Sequence, residues 1–448
     1  MSQENIKLLR GEPEKAIRHL AWPIMLSMIL TSLYMLVDGI WITGLGETAI
    51  AGVGFVTPIF MILNGVSVGL GVGATSLISR YVGAHDQKNA GKAATHSILI
   101  FTIASIILTI LLLIIQKPAL ILYGASGETL QQGLNYSTIM FAGLFTFIFS
   151  NGASGILRGE GDMKRALYAV ILSVGINTII DPIFIYTLNL GTAGAAWASI
   201  ISCLLSAILI FYWILFDKNT YVKIKLKGFK FNRKITSAIL NVGIPSSLEM
   251  IIIGIAYAVY LYLITIISGQ TGVAAYSSGQ RLYMFLIMPM TAIGSAVVAV
   301  SGSAFGAKNT DYLKRSHKYG VKLGILFGII VTIIFLLFSN QLAYIFAYTP
   351  QTHHLIPVIS QFLIIIGLAF PMTGMGVISS SIYQGIGKGI ISLIFTILRE
   401  IIACLTLSYI FAFTLGLGLI GIWIGTASGR IIMGIINYQF AKYTIKKY

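Results

Sequence analysis

Twelve apolar runs constrain this 448-residue chain more than any other feature of its sequence. They lie at roughly 16–42, 49–78, 93–116, 133–157, 164–188, 191–216, 235–267, 271–302, 316–338, 354–381, 389–413 and 416–440. Each is long enough to cross a bilayer as a helix, which takes about 20 residues. The chain is 56% hydrophobic and only 10% charged, where soluble domains carry about 25% charged residues. The segment before the first run mixes acids with bases, and the run outlasts the apolar core of a signal peptide, so it reads as a retained span.

A net charge of +16 raises the question of a nucleic-acid partner. Placement answers it. With the N-terminus in the cytoplasm, 26 of the 30 Lys and Arg fall in inner segments or at the inner ends of spans. Only Lys117 falls outside, and Arg281, Arg399 and Arg430 lie within spans. The basicity therefore encodes orientation, with both termini cytoplasmic in a plasma (inner) membrane and no nucleic acid involved. The basic stretch 218–234 is a topogenic inner loop, and contact with anionic headgroups is a second use for it. Cys203 and Cys404 sit in apolar runs, form no CxxC, and read as buried structural thiols.

The chain repeats itself. "GETAIAGVG" (46–54) echoes "GQTGVAAYS" (269–277), and "SRYVGAHDQKNAGK" (79–92) echoes "GSAFGAKNTDYLKR" (302–315), at an offset of 223. "SGILRGEGDMKRA" (154–166) echoes "SSSIYQGIGKGII" (379–391) at 226, and "LNLGTAGAAW" (188–197) echoes "LGLGLIGIW" (415–423). The expected fold is an all-α integral membrane protein of twelve transmembrane helices in two six-helix lobes. The lobes span 1–216 and 235–448, joined by the basic loop 217–234. Six is even, so both lobes start on the same side and are parallel. Transporters built this way bind substrate between or within their halves. Gly65, Gly69 and Gly73 are spaced by four, which lets helices approach closely.

Of 14 acidic residues, four lie well inside apolar runs: Asp38, Asp181, Glu249 and Glu400. A charge at the bilayer centre costs about 2.5–3.5 kcal/mol on insertion scales, so something must offset each. Asp181 has Asn177 one turn before it on the same face, and Pro182 after it, which loosens the carbonyl of Thr178. Ser199 on the next span adds an oxygen. Carboxylate, amide and carbonyl oxygens suit a small cation. Asp38 has Tyr34 one turn before it. The bland alternative is that each aspartate only hydrogen-bonds a neighbouring helix. Offsets of 223 and 226 map Asp38 to Leu261, and Asn177 and Asp181 to Ala403 and Leu407. The second half is thus expected to lack the polar set. Glu249, four past Pro245, faces a cavity or pairs with a base such as Arg281. Arg399 and Glu400 are adjacent, about 100° apart on an α-helix, and are expected not to pair.

Twelve spans in parallel halves, "SGILRGEGDMKRA", "QGIGK", "VGAHDQKNAGKAA" with its partner "FGAKNTDYLKRS", and the intramembrane aspartates together resemble the multidrug and toxic compound extrusion (MATE) family. The similarity covers essentially the whole chain, on the branch like DNA-damage-inducible protein F. It implies export of organic cations and amphipaths in exchange for H⁺ or Na⁺. It also implies a first-lobe site of Asp38, Tyr34, Tyr136, Asn151, Asn177, Asp181 and Ser199. The other major branch uses a span-7 glutamate seven or eight residues past a Gly-x-Pro, and Glu249 departs from that spacing.

No Walker loop, nucleophile elbow or metal-ligand spacing is present, so neither an enzyme nor a cofactor is expected. The one ion site is the H⁺ or Na⁺ of coupling, the latter at Asp38, Asn177 and Asp181. The expected partners are small organic cations or amphipaths and the bilayer, and the expected state is a monomer. The runner-up is a lipid-linked precursor flippase, for which only Arg281, Arg399 and Arg430 could supply a cationic cavity. A channel or scaffold is disfavoured by the repeat.

Overall fold

The computed structural model describes residues 2–217, 220–224 and 229–448. Among these the chain is helical, with no strand. A short helix α1 (Ser2–Arg10) precedes α2 (Pro13–Thr43), α3 (Glu47–Gly83) and α4 (Gln87–Leu122). Then come α5 (Gly127–Ala142), α6 (Leu144–Gly159), α7 (Met163–Pro182) and α8 (Gly191–Phe216). The second half holds α9 (Arg233–Gly306), α10 (Thr310–Tyr344), α11 (Ile356–Gly385), α12 (Gly389–Ile397), α13 (Thr406–Tyr409) and α14 (Gly418–Lys446). π-Helical turns fill Ile183–Thr187, Leu398–Leu405 and Ile410–Thr414.

The twelve spans are recovered, with two adjustments. α5 and α6 form one apolar crossing bent by 51°. α9 has 74 residues, or about 110 Å of helix, far beyond a hydrocarbon core of about 30 Å. It breaks at Gly269, whose φ of 56° leaves the helical region, and so makes two crossings.

Side-chain caps set several of these boundaries. Asp86, Asp162 and Asn309 each accept a hydrogen bond from the backbone N–H three residues on, satisfying a donor at a helix start. The left-handed residues mark the internal repeat independently of side-chain identity. Gly46 pairs with Gly269 and His85 with Lys308, each 223 apart. Gly161 pairs with Gly387, 226 apart, and Asn189 and Gly191 pair with Gly416 and Gly418, 227 apart. The π turn at Ile183–Thr187 recurs at Ile410–Thr414 with that last offset. One extra residue therefore enters the second half between Gly387 and Gly416. The π-helical stretch Leu398–Leu405 lies there, and a π turn is how a helix absorbs a single inserted residue.

Contacts divide the chain into two units: Met1–Arg10 with Trp22–Ser247, and Gly11–Ala21 with Leu248–Tyr448. In the first, the glycine stripe of α3 meets the start of α9. A Cβ on Gly69 would strike Ser247 and Gly243, and one on Gly73 would strike Ile239 and Gly243. On another face of α3, Gly71 meets Gly155 of α6 backbone to backbone. In the second unit, Arg315 makes a two-bond fork with Glu14, at 3.1 and 2.8 Å.

The segment after α8 is fastened to the first unit. Residues 218, 219 and 225–228 of the expected loop 217–234 lie outside the described residues, and any headgroup contact there with them. Elsewhere the attachments are explicit. Glu160 accepts hydrogen bonds from the Tyr221 and Val222 N–H groups, at 3.1 and 3.0 Å. Arg165 pairs with Asp217 and donates to Thr220 at 3.1 Å. His96 Nε2 accepts from the Asn232 N–H at 2.8 Å. Burial pushes the Glu160 carboxyl up to about 8 from an ordinary 4.5, against the pull of the two N–H donors. The folded state then holds a proton that the unfolded chain has lost. Its contribution to stability is full below about pH 4.5 and is lost as pH rises through about 8. The Glu160→Gln protein in detergent is expected to show a flatter melting-temperature profile across that window than wild type. Equal slopes would remove Glu160 as the source.

Candidate functional site

In the first unit, α2, α7 and α8 bring five polar side chains inside the membrane-spanning region together. Asn177 and Asp181 sit one turn apart at the end of α7, just before Pro182 and the π turn, and both are buried. The Asn177 amide donates to Asp181 Oδ1 at 3.2 Å and to Ser199 Oγ on α8 at 3.4 Å. Ser199 in turn shares a hydrogen bond of 3.0 Å with the Tyr34 hydroxyl on α2. Asp38, one turn beyond Tyr34, is close enough to Asp181 for the two carboxylates to interact. Tyr136 on α5 is buried and lies within electrostatic reach of both.

Hydrogen-bond accounting shows what this cluster lacks. Asp38 Oδ1, Asn177 Oδ1 and Asp181 Oδ2 are all buried without a partner. All three are acceptors. A buried acceptor left unsatisfied costs about 1–3 kcal/mol, more when charged. The group that satisfies several at once is a cation or a proton. Two carboxylates ringed by neutral oxygens are suited to a small monovalent ion rather than to a resident transition metal. Among the described residues, no three His, Cys, Asp or Glu gather as metal ligands.

Asn151 is not drawn in. Its amide donates to the Phe147 carbonyl of its own helix at 3.1 Å, and no described hydrogen bond ties it to either aspartate. Conversely, Trp41 and Tyr186 were not expected from the sequence. The Tyr186 hydroxyl donates to the Trp41 carbonyl at 2.6 Å, and the rings meet edge to face at 6.2 Å. Trp41 lies three residues past Asp38, and Tyr186 lies in the π turn after Asp181. The pair thus braces the two aspartate-bearing helices. An aromatic in "DGIW" and one in "DPIFIY" were the available signal.

The second unit corrects three expectations. Glu249 does not pair with Arg281, which is exposed on α9. It is buried, and Gln384 Nε2 on α11 approaches its two oxygens at 3.5 and 3.4 Å. Arg399 and Glu400 do pair, at 2.9 Å. The expected 100° separation assumes α geometry, and both residues lie in the π stretch Leu398–Leu405, whose wider turn brings neighbours closer in angle. The third concerns the repeat. Past the inserted residue the offset is 227, so the counterparts of Asn177, Asp181 and Ser199 are Cys404, Ser408 and Thr426. Ser408 and Thr426 share a hydrogen bond of 3.1 Å, and Thr426 donates to the Tyr260 hydroxyl at 3.1 Å. Two hydroxyls, Ser408 and Thr426, therefore stand in the second half where Asp181 and Ser199 stand in the first, while Cys404 and Leu261 take the places of Asn177 and Asp38.

Two sets of spans, each built round a polar cluster within the membrane, define a polytopic α-helical transporter. Comparison with known proteins places it further. The family described as MatE matches residues 23–183 and 245–410. The probable multidrug resistance protein YoeA of Bacillus subtilis is 24% identical over 95% of this chain and 92% of its own length. The multidrug export protein MepA of Staphylococcus aureus is 28% identical over 84% of each chain. A crystal structure of MATE in complex with MaL6 superposes with a TM-score of 0.95 at 36% identity, covering 99% of this chain and 98% of that one. The chain belongs to the MATE family of multidrug efflux transporters.

Proposed function

We propose that this protein exports organic cations or amphipathic molecules across a plasma membrane in exchange for H⁺ or Na⁺, with both termini cytoplasmic. The coupling site is assigned to Asp38, Asn177, Asp181 and Ser199, with Tyr34 and Tyr136 beside it, in the lobe 1–216. The lobe 235–448 follows the loop 217–234. The observation that supports this reading is the set of three buried, unpartnered acceptor oxygens on Asp38, Asn177 and Asp181. The names of the multidrug relatives support the substrate class.

The exchange has a physical rationale. Moving a cation out against an inside-negative potential costs about 2.3 kcal/mol per charge per 100 mV. A one-for-one exchange with an entering ion cancels that cost and leaves the ion's own gradient as the drive. Two neighbouring carboxylates titrate as a unit, so one proton or one Na⁺ switches the charge of the whole cluster. Filled, the cluster has its acceptors satisfied and α2, α7 and α8 drawn together. Vacated, it presents net negative charge that favours an organic cation.

Inside-out vesicles loaded with a fluorescent organic cation test this directly. Imposing ΔpH and ΔpNa separately is expected to drive dye movement with at least one of them. Dye flux that ignores both gradients ends the antiport reading. Glu249→Gln is expected to retain at least about half of wild-type flux, because Glu249 already shares its oxygens with Gln384. A folded but inactive Glu249→Gln would shift coupling to the second lobe.

A further inference from the structure

A second polar cluster lies in the other unit and has the opposite deficit. Arg399 and Glu400 come from the π stretch before α13, Trp423, Thr426 and Arg430 from α14, and Tyr260, Tyr276 and Tyr283 from α9. Arg399 has Glu400 in contact and Glu249 within electrostatic reach. Arg430 has Glu400 as its nearest counter-charge but makes no direct ion pair with it. Among the described residues no carboxylate comes within ion-pair distance of it, and its Nε and Nη1 are buried with no acceptor. Its guanidinium lies 4.4 Å over the Tyr283 ring, and the Cys404 thiol is its soft neighbour. Only 8% of Arg430 is exposed. Seven residues earlier, two turns up the same face of α14, Trp423 Nε1 is also buried without an acceptor. The unpartnered groups of Trp423 and Arg430 are all donors, and the one unpartnered acceptor of α14 among the described residues is Asn437 Oδ1, seven residues beyond Arg430.

The internal repeat sharpens the contrast. Arg430 stands where the first half has Cys203, 227 residues earlier. Cys203 there shares a side-chain hydrogen bond with Ser173. The place of Ser173 is taken by Arg399 or Glu400, according to which side of the inserted residue is counted. So the second half carries a hydroxyl, Ser408, where the first has Asp181, a leucine, Leu261, where it has Asp38, and a guanidinium where it has a thiol. Helix packing needs no such change, because the thiol fits the same position. A buried guanidinium is destabilising unless something completes it.

We propose that the second lobe holds a binding site for a monovalent anionic group, centred on Arg430, with Tyr283 beneath the guanidinium and Trp423 as a further donor. The occupant is a free halide or the headgroup of an amphipathic carboxylate. The rings around it are packed on one another in the core. Tyr276 stacks on Trp423 at 5.5 Å and 11°, and Phe362 meets Trp423 edge-on at 4.9 Å. The site is separate from the aspartate cluster and does not rest on the coupling reading.

The test uses the purified full chain in detergent, with melting temperature followed during titration. One arm titrates bromide against gluconate at constant ionic strength. The other titrates decanoate, with decyltrimethylammonium as the cationic control. A saturable rise is expected with bromide or with decanoate, and the arm that responds identifies the source. Arg430→Gln is expected to weaken half-saturation by about tenfold or more, the effect of losing a charge-assisted hydrogen bond. Arg430→Lys, which keeps the charge, is expected to bind at intermediate strength. A purely structural Arg430 would lower stability in the variant and leave wild type unresponsive to anions, which overturns the proposal, as does an Arg430→Gln that responds like wild type. Should Arg430→Gln fail to fold, wild-type crystals soaked in bromide and in a brominated decanoate decide the matter by anomalous scattering. A peak against the Arg430 guanidinium supports the site, and no peak in either soak overturns it.

Discussion

Cells stripped of their own efflux pumps and carrying Asp181→Asn are expected to survive drug no better than cells with an empty vector, at wild-type levels of membrane protein. The substitution keeps the shape of the side chain and the oxygen that accepts from Asn177. It removes the charge and the Oδ2 acceptor that is buried without a partner. An uncharged amide is less costly to place at that depth than a carboxylate, so folding has no reason to suffer. Ion binding does, because Asp38 alone would then face the incoming cation. Drug resistance and immunoblotted protein together check this. Undiminished resistance would take Asp181 out of the mechanism.

The largest effect on stability is expected at Glu400→Gln. Glu400 is buried, touches Arg399 at 2.9 Å and is the nearest counter-charge to Arg430. Breaking a buried pair by removing one partner costs about 3–5 kcal/mol, since the other charge remains uncompensated. Here two guanidiniums share that loss. The variant is expected to melt far below wild type in detergent. The double variant Arg399→Gln, Glu400→Gln is expected to recover part of the difference, as a double-mutant cycle would show. If Glu400→Gln melts like wild type, the pair contributes nothing to the fold.

The spans were legible in the sequence because a run of apolar residues as long as a bilayer is thick has one outcome. Even the break within α9 was foreshadowed, since "GQTG" echoes the segment that opens α3. What pattern could not supply was proximity. Asp38 and Asp181 stand on helices far apart in the chain, and only the family resemblance brought them together in advance. Arg399 and Glu400 were misread because 3.6 residues per turn was assumed where the helix is wider. The same inserted residue shifted the repeat by one and made the second-half counterparts look apolar, hiding Cys404 and Ser408 behind Ala403 and Leu407. Asn151 carries the right chemistry but bonds its own helix, a choice of rotamer that composition does not encode. Arg430 drew notice in the sequence only as a charge within a span. Its importance emerges from counting which of its N–H groups find an acceptor.

The π turns separate what the two halves share from what one of them adds. Ile183–Thr187 and Ile410–Thr414 occupy equivalent places in the two halves, so that widened turn belongs to the repeating unit itself. Leu398–Leu405 has no counterpart in the first half and accommodates the one residue by which the halves differ there. That stretch seats both Arg399 and Glu400. The change of charge between the halves, from the aspartates of one to the arginines of the other, thus goes with a difference of one residue in chain length, a marker that can be sought in relatives without reference to any charged side chain.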